Sequence, residues 1–478
     1  MIEIAFLTLF VIAFAAFGNW RWGLALCVLM AIVQDPLRKL IPDQPVYFVV
    51  FVGVVFGAAL LSALVAKVPL KPSSINGWKY YVGKPFLLFI VLVILQALHS
   101  FIRFGNPMMT GIGLLSYFAP LPAVIFGYQF ALRRGMKGLT GWMWFYIITA
   151  SIALSGVYLE FIGFDWPVLG EVGEGLIIYD VSTALKAYSG FFRSSEIAAW
   201  HAGTIACFGF MLMVGRGMSL PRLLMALLMV LFLFGLASLT GRRKMLVVVV
   251  IFITVYFMLN AWFQRGAGKL AVIAGLTALL SFIAIVGIVD PDPGERSFNS
   301  HNMKVGVNET YKAYALRSRS VIQDIPDRFT NMGIDPVVWA VDSYGVFGAG
   351  LGTGSQGVQH YIAEDAINRG AAEGGLGKFT MELGIPGLVM AVWLLAAFFR
   401  YFWRVLAYLS VTSPRHARFG YGMFAFLTAN AASFAVAAQA YGDLFILLSI
   451  GWAAGFILAL PVLAKAAAQA AGTLPPDR

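Results

Sequence analysis

The chain has 478 residues, 60% of them hydrophobic and only 12% charged, with a formal net charge of +11. A soluble domain carries about 25% charged residues, so this composition excludes an ordinary soluble enzyme. Apolar runs such as 46–66, 220–239, 245–259 and 270–289 do not alternate, which excludes a transmembrane β-barrel.

A bilayer-crossing helix needs about 20 such residues, and the candidates follow in chain order. The start, Met1-Ile-Glu3, lacks a basic n-region and a small-residue cleavage site, and reads as a retained first span. Spans are predicted at 4–18 and 22–34, a short pair that one tight hairpin would also satisfy. Next come 46–66, 85–103, 108–131 and 139–163, then a loop at 164–195. Four more follow at 196–214, 220–239, 245–262 and 269–289. A long loop, 290–379, precedes 380–402, 420–438 and 443–465, and a tail covers 466–478. The expected architecture is an all-α polytopic membrane protein of about 12 to 13 spans. It divides into 1–289, the loop 290–379, the C-terminal helices 380–465 and the tail.

Short loops orient the bundle. Lys67, Lys71, Lys79 and Lys84 fall in one, and Arg133, Arg134 and Lys137 in the next. Further basic loops surround Arg216 and Arg222, Arg265 and Lys269, and Arg400 to Arg418. All lie on one side if the spans alternate, and that side is cytoplasmic. The tail shares it. The loops 164–195 and 290–379 then face outward, the first acidic with Asp165, Glu171, Glu174 and Asp180. Basic loops account for the charge, and no folded basic domain offers itself to nucleic acid. Cys27 and Cys207 sit in apolar segments and form no disulfide or metal pattern. One turn breaks the rule. SLTGRRKM at 238–245 puts Arg242, Arg243 and Lys244 on the outer side. Either the span count differs or these cations form an anion site there.

The stretch GAGLGTGSQG, 348–357, contains Gly352-x-Gly354-x-x-Gly357, the spacing of a dinucleotide-binding turn, with Glu373 downstream. That motif works only between a strand and a helix of a parallel sheet. No such unit surrounds it, and the loop is on the wrong side for a cytoplasmic nucleotide pool. A flexible, close-packing turn remains, in which Gly352 and Gly354 let backbone N–H groups approach an anion.

Beyond the turn, AEGGLGKFTMELGIPGL at 372–388 runs into a span. Together with YSGFFRSSEIAA at 188–199 and SLTGRRK at 238–244, it resembles the O-antigen ligase and O-antigen polymerase superfamily of membrane glycosyltransferases. The likeness covers roughly residues 185 to 400, and it rests on the order and spacing of loose motifs. It implies a GT-C-like helical fold in the bacterial inner membrane. The implied chemistry is metal-independent, inverting glycosyl transfer at the periplasmic face. The donor would be an undecaprenyl-diphosphate-linked glycan and the acceptor a glycan or lipid, with no cofactor. Many members carry His-Asn nine residues before the Glu of their E-L-G; here that register holds Glu373-Gly374. The departure points to a polymerase of exopolysaccharide, capsule or O-antigen repeat units. A ligase acting on lipid A core is the alternative. A non-catalytic transporter of lipid-linked glycan is a third reading, opposed by few mid-membrane charges and no inverted repeat.

The resemblance assigns an essential arginine to the 238–244 turn, best matched by Arg243. Arg242 and Lys244 are candidate substrate contacts. The segment NETYKAYALRSRSVI, 308–322, reads as an outer helix, and Arg317 or Arg319 would fill the family's second arginine position. A guanidinium fork suits the charge that develops on a leaving diphosphate. Glu373 is the candidate general base, with His360 nearby and His301 as a further option. If the helix at 196 begins early enough to include it, Arg193 shares a face with Glu196 and Trp200. Glu382 is expected to orient the glycine loop. His201 is expected to be a satisfied core histidine.

Overall fold

A computed structural model describes residues 1–172, 177–180, 183–214, 219–242, 244–263, 330–355 and 374–471. The described chain is overwhelmingly helical and falls into two compact units. One comprises Met1–Ala59 and Thr140–Ile325, the other Leu60–Leu139 and Pro326–Arg478.

Among the described residues, eight helical stretches are long and apolar enough to cross a membrane, or nine if one bent pair counts as a span. The protein is therefore a multi-pass α-helical membrane protein. The bent pair is the expected N-terminal hairpin: α1 (Ile2–Gly18) and α2 (Gly23–Lys39), with an angle of 118° at the break. Next come α3 (Phe51–Val65), the single turn α4 (Trp78–Tyr81) and α5 (Gly83–Phe104). The predicted spans 108–131 and 139–163 merge into one helical stretch, Pro107–Phe161, made of α6 (Pro107–Phe118) and α7 (Pro120–Phe161). The basic loop expected at 132–138 is a break inside α7, where Gly135 has φ 62° and ψ −171°. The predicted span 269–289 lies outside the described residues, as does most of 290–379.

In the first unit, the loop 164–195 contains a short antiparallel hairpin that the all-α reading did not include. Its strands are β1 (Ile177–Asp180) and β2 (Thr183–Lys186), and Ile177 pairs with Lys186. Then α8 (Ser195–Val214) forms the core, with 94% of its apolar window buried. Helices α9 (Leu220–Leu239) and α10 (Lys244–Phe263) pack against it. The apolar part of α10, Val247–Phe263, is shorter than a full span. Small residues on α8 permit the close approach. A Cβ on Gly209 would meet the Met229 side chain at 2.3 Å. Phe210 is surrounded edge-on by Phe252, Tyr256 and Phe257.

The second unit is built on α12 (Gly375–Thr412), which touches α5, α11 (Asp335–Tyr344), α13 (Pro414–Val436) and α14 (Leu444–Ala470). The first half of α7 meets α14 through glycines. A Cβ on Gly127 would strike the Trp452 backbone at 2.8 Å, and one on Gly455 would strike the Val124 carbonyl at 2.2 Å. Small residues at helix crossings let backbones approach within a membrane. α12 is broken at Gly384, with φ 69° and ψ −176°, two residues before Pro386.

Candidate functional site

Several charged side chains of the first unit converge on the start of α8. Glu160, near the end of α7, accepts the Ser189 and Gly190 amides through Oε2 at 3.0 and 2.8 Å. Gly190 has φ +59°, and a Cβ there would lie 2.3 Å from the Val157 nitrogen, so this approach requires glycine. Lys39 ends α2. Its buried ammonium donates to the carbonyls of Val168, Gly190 and Phe192 at 3.3, 2.7 and 2.6 Å. One turn earlier, Asp35 accepts the Arg193 amide at 3.0 Å and contacts its guanidinium at 3.5 Å. A single helix end thus holds the loop backbone twice, its acid taking an N–H and its base three carbonyls.

This clamp presents Ser195 and Glu196. The turn after α9 supplies their partner. Thr240 caps the helix and Gly241 turns with φ +67°, a left-handed conformation that ends helices readily. Arg242 follows. Its Nε donates to Ser195 Oγ at 3.0 Å, and its Nη2 lies 2.8 Å from Glu196 Oε1. Its Nη1 has no protein partner among the described residues. Ser195 also donates through its amide and its hydroxyl to Glu171 Oε1, at 3.2 and 3.4 Å. Glu171 Oε2 is buried without a hydrogen bond among the described residues. Burial pushes the Glu171 carboxyl above the usual carboxylate range; the Ser195 amide opposes this, Glu196 adds to it, and Arg242 opposes it. The arrangement is a half-occupied guanidinium beside a carboxylate with one open oxygen. Such a pair can bind an anion and accept a proton.

Of the residues singled out in the sequence, the structure brings Arg242 and Arg193 into this cluster. They are held differently from expectation. α8 begins at Ser195, so Arg193 lies before the helix and pairs with Asp35, while Glu196 pairs with Arg242. Arg243, Arg317, Arg319, Glu373, His301 and His360 lie outside the described residues, as does the Lys244 side chain. His201 is a core histidine: it hydrogen-bonds Tyr146 at 2.8 Å and stacks on Phe192. Sequence reasoning gave no role to Asp35, Lys39, Glu160 or Ser195, and it counted Glu171 only as loop charge. The available signal was Asp35 and Lys39 four residues apart at the end of an apolar helix.

Gly352 and Gly354 belong to the second unit, where the turn 345–355 packs against the break in α12. The Ala349 amide donates to the Met381 carbonyl at 2.7 Å, and the Ile385 amide to the Val346 carbonyl at 2.8 Å. The turn thereby satisfies backbone groups that the break at Gly384 frees. Gln96 on α5 supports it by donating to the Phe347 carbonyl at 2.9 Å. Gly352 has φ +88°, and a Cβ there would sit 2.2 Å from the Met109 carbonyl. Gly354 gives its amide to Glu382 Oε1 at 3.0 Å. Glu382 also accepts from the Ser355 and Tyr117 hydroxyls, at 3.2 and 2.6 Å, so it does orient the loop. The close packing expected of this turn is present. Gly348 and Gly352 are accounted for by close packing, and the Ala349, Leu351, Gly354 and Ser355 amides face protein oxygens. Among the described residues no group of three or more His, Cys, Asp or Glu is placed to hold a metal ion.

A scan of the sequence against protein-family models finds no match, and a search of curated proteins finds no significant relative.

Proposed function

We propose that this protein polymerises undecaprenyl-diphosphate-linked oligosaccharide repeat units into a long polysaccharide at the outer face of a bacterial inner membrane. The observation that carries the reading is Arg242. Its guanidinium is fixed by Ser195 and Glu196 in the turn that resembles the superfamily's arginine turn, and its Nη1 edge has no partner among the described residues. A planar cation held this way is pre-organised for phosphate oxygens. Arg243 and Lys244, next in sequence, would add to the same field. By the resemblance alone, Arg317 or Arg319 is a second candidate for the charge on the leaving diphosphate.

Purified protein supplied with lipid-linked single repeat units tests the proposal. The expected product is a ladder of polymer, and Arg243→Ala and Arg317→Ala are expected to lower its yield. In a deletion strain, single lipid-linked units accumulate if the protein is a polymerase. Accumulation of complete chains assigns it as a ligase. Single units confined to the cytoplasmic leaflet, out of reach of an external probe, assign transport instead.

Sidedness has its own check. Ser343 on α11 is exposed and falls in the loop read as external. Cysteine placed there should react with an impermeant thiol reagent in intact spheroplasts. Labelling only after lysis inverts the topology. Ser355 is unsuitable for this purpose, being 3% exposed and bonded to Glu382.

A further inference from the structure

We propose that Glu171 is the proton acceptor for the transfer reaction, its Oε2 taking the proton of the attacking sugar hydroxyl while Arg242 faces the departing diphosphate. The inference rests on the polymerase reading and deepens it. It begins from an unmet acceptor. Glu171 Oε2 is buried and receives no hydrogen bond among the described residues, although buried polar atoms are nearly always paired. The other oxygen is pinned by Ser195 through both its amide and its hydroxyl, which fixes the plane of the carboxylate. A hydroxyl entering the cluster supplies the missing donor.

The neighbouring acids are already committed. Asp35 uses one oxygen for the Arg193 amide and the other for its guanidinium. Glu160 uses Oε2 for two amides and has Lys186 3.9 Å from Oε1. Glu196 is neutralised by direct contact with Arg242. Among the described residues, Glu171 alone combines an open oxygen with indirect attachment to the cation. Ser195 Oγ accepts from Arg242 Nε and donates to Glu171, so one hydroxyl fixes the base relative to the cation. The electrostatics agree, since burial raises the carboxyl's proton affinity towards the range useful to a general base.

The step balances within the substrates named. The acceptor oxygen forms a bond to the anomeric carbon. The bond from that carbon to the diphosphate oxygen breaks, and its electron pair leaves on the diphosphate. The hydroxyl proton passes to Glu171 Oε2 and is later released to water. No oxidant, reductant or metal enters this balance.

The experiment uses full-length protein in lipid nanodiscs and lipid-linked single repeat units purified from a polymerase-deficient strain. Glu171→Gln is expected to lower turnover by about 10²–10⁴ while keeping donor retention within a few-fold of wild type. Glu171→Ala is expected to regain part of its turnover with added sodium formate, a response that a purely structural carboxylate would not give. A Gln variant within a few-fold of wild-type turnover overturns the assignment and leaves the polymerase reading intact. A Gln variant that neither stays folded nor retains donor, with no formate response in the Ala variant, also overturns it, by making Glu171 structural. No polymer from the wild type overturns the polymerase reading, and the base assignment falls with it.

Discussion

Arg242 and Ser195 meet at 3.0 Å, Nε to Oγ, and that one bond ties the turn after α9 to the first residue of α8. Replacing Arg242 by alanine removes the guanidinium and leaves Ser195 and Glu196 with one partner fewer. If the guanidinium faces a developing phosphate charge, turnover should fall by about 10²–10³. Arg242→Lys should restore little, because an ammonium cannot bridge Ser195, Glu196 and a phosphate in one plane. Polymer yield per folded molecule measures this. Equal yield from all three proteins would make the Arg242 network a structural tie.

Lys39 gives a prediction about stability. Its ammonium meets three carbonyls, with Asp35 and Glu160 nearby. Lys39→Met keeps the stem and removes the charge, so three buried carbonyls lose a donor and the acids lose a counter-charge. Breaking a buried ionic arrangement from one side costs about 3–5 kcal/mol. A lowered Tm in detergent should accompany the loss, with protease cleavage appearing in 187–194. Arg193→Ala should cost less, since the Asp35 contact with the Arg193 amide survives.

These two residues also mark how far the sequence could be read. Arg242 was legible because it breaks a charge rule over a short window. Three cations in one turn between apolar runs demand an explanation wherever the turn lies. Lys39 was not legible. Its partners are carbonyls at 168, 190 and 192, and no sequence pattern reports which distant carbonyls need a donor. The same holds for Glu171, whose significance comes from an oxygen that lacks a partner among the described residues. Helices were readable from apolar runs, but their breaks less so. The basic residues around Gly135 read as a loop, although the helix resumes on either side of one residue. At 348–357 the glycine spacing suggested a ligand cradle until the positions of Met109, Met381 and Gly384 were known.

The glycine turn supports a graded prediction. Gly352→Ala and Gly348→Ala each impose left-handed strain and a collision with backbone, at 2.2 Å from the Met109 carbonyl and 2.7 Å from the Met381 carbonyl. Gly105 also has positive φ, +64°, yet nothing lies within 4 Å of its Cβ position. Gly105→Ala should therefore cost only the conformational penalty, about 1 kcal/mol. The other two should cost several times more, because backbone must shift. Thermal unfolding of the three variants checks the order. A Gly352→Ala variant as stable as Gly105→Ala would mean that the turn does not pack on α6 as described.

The last prediction concerns pH and Glu171. Its folded carboxyl lies above the usual range, chiefly through burial, with Glu196 adding to the rise and the Ser195 amide and Arg242 opposing it. The folded state therefore holds this proton more tightly than the unfolded state. Where the native state binds more protons, stability falls as pH rises. The contribution is fully present below the unfolded carboxyl value of about 4.3 and is lost as pH climbs through the raised folded value. Glu171→Gln cannot ionise, so it supplies the reference. The Tm difference, wild type minus Gln, should decline with rising pH across that window. Turnover should move the other way, because only the deprotonated carboxylate can accept a proton. Stability falling and activity rising across one pH range would place both effects on one group. A Tm difference that grows with pH would mean that the Arg242 and Ser195 contacts outweigh burial, and that Glu171 is an ordinary ionised ligand of the cluster.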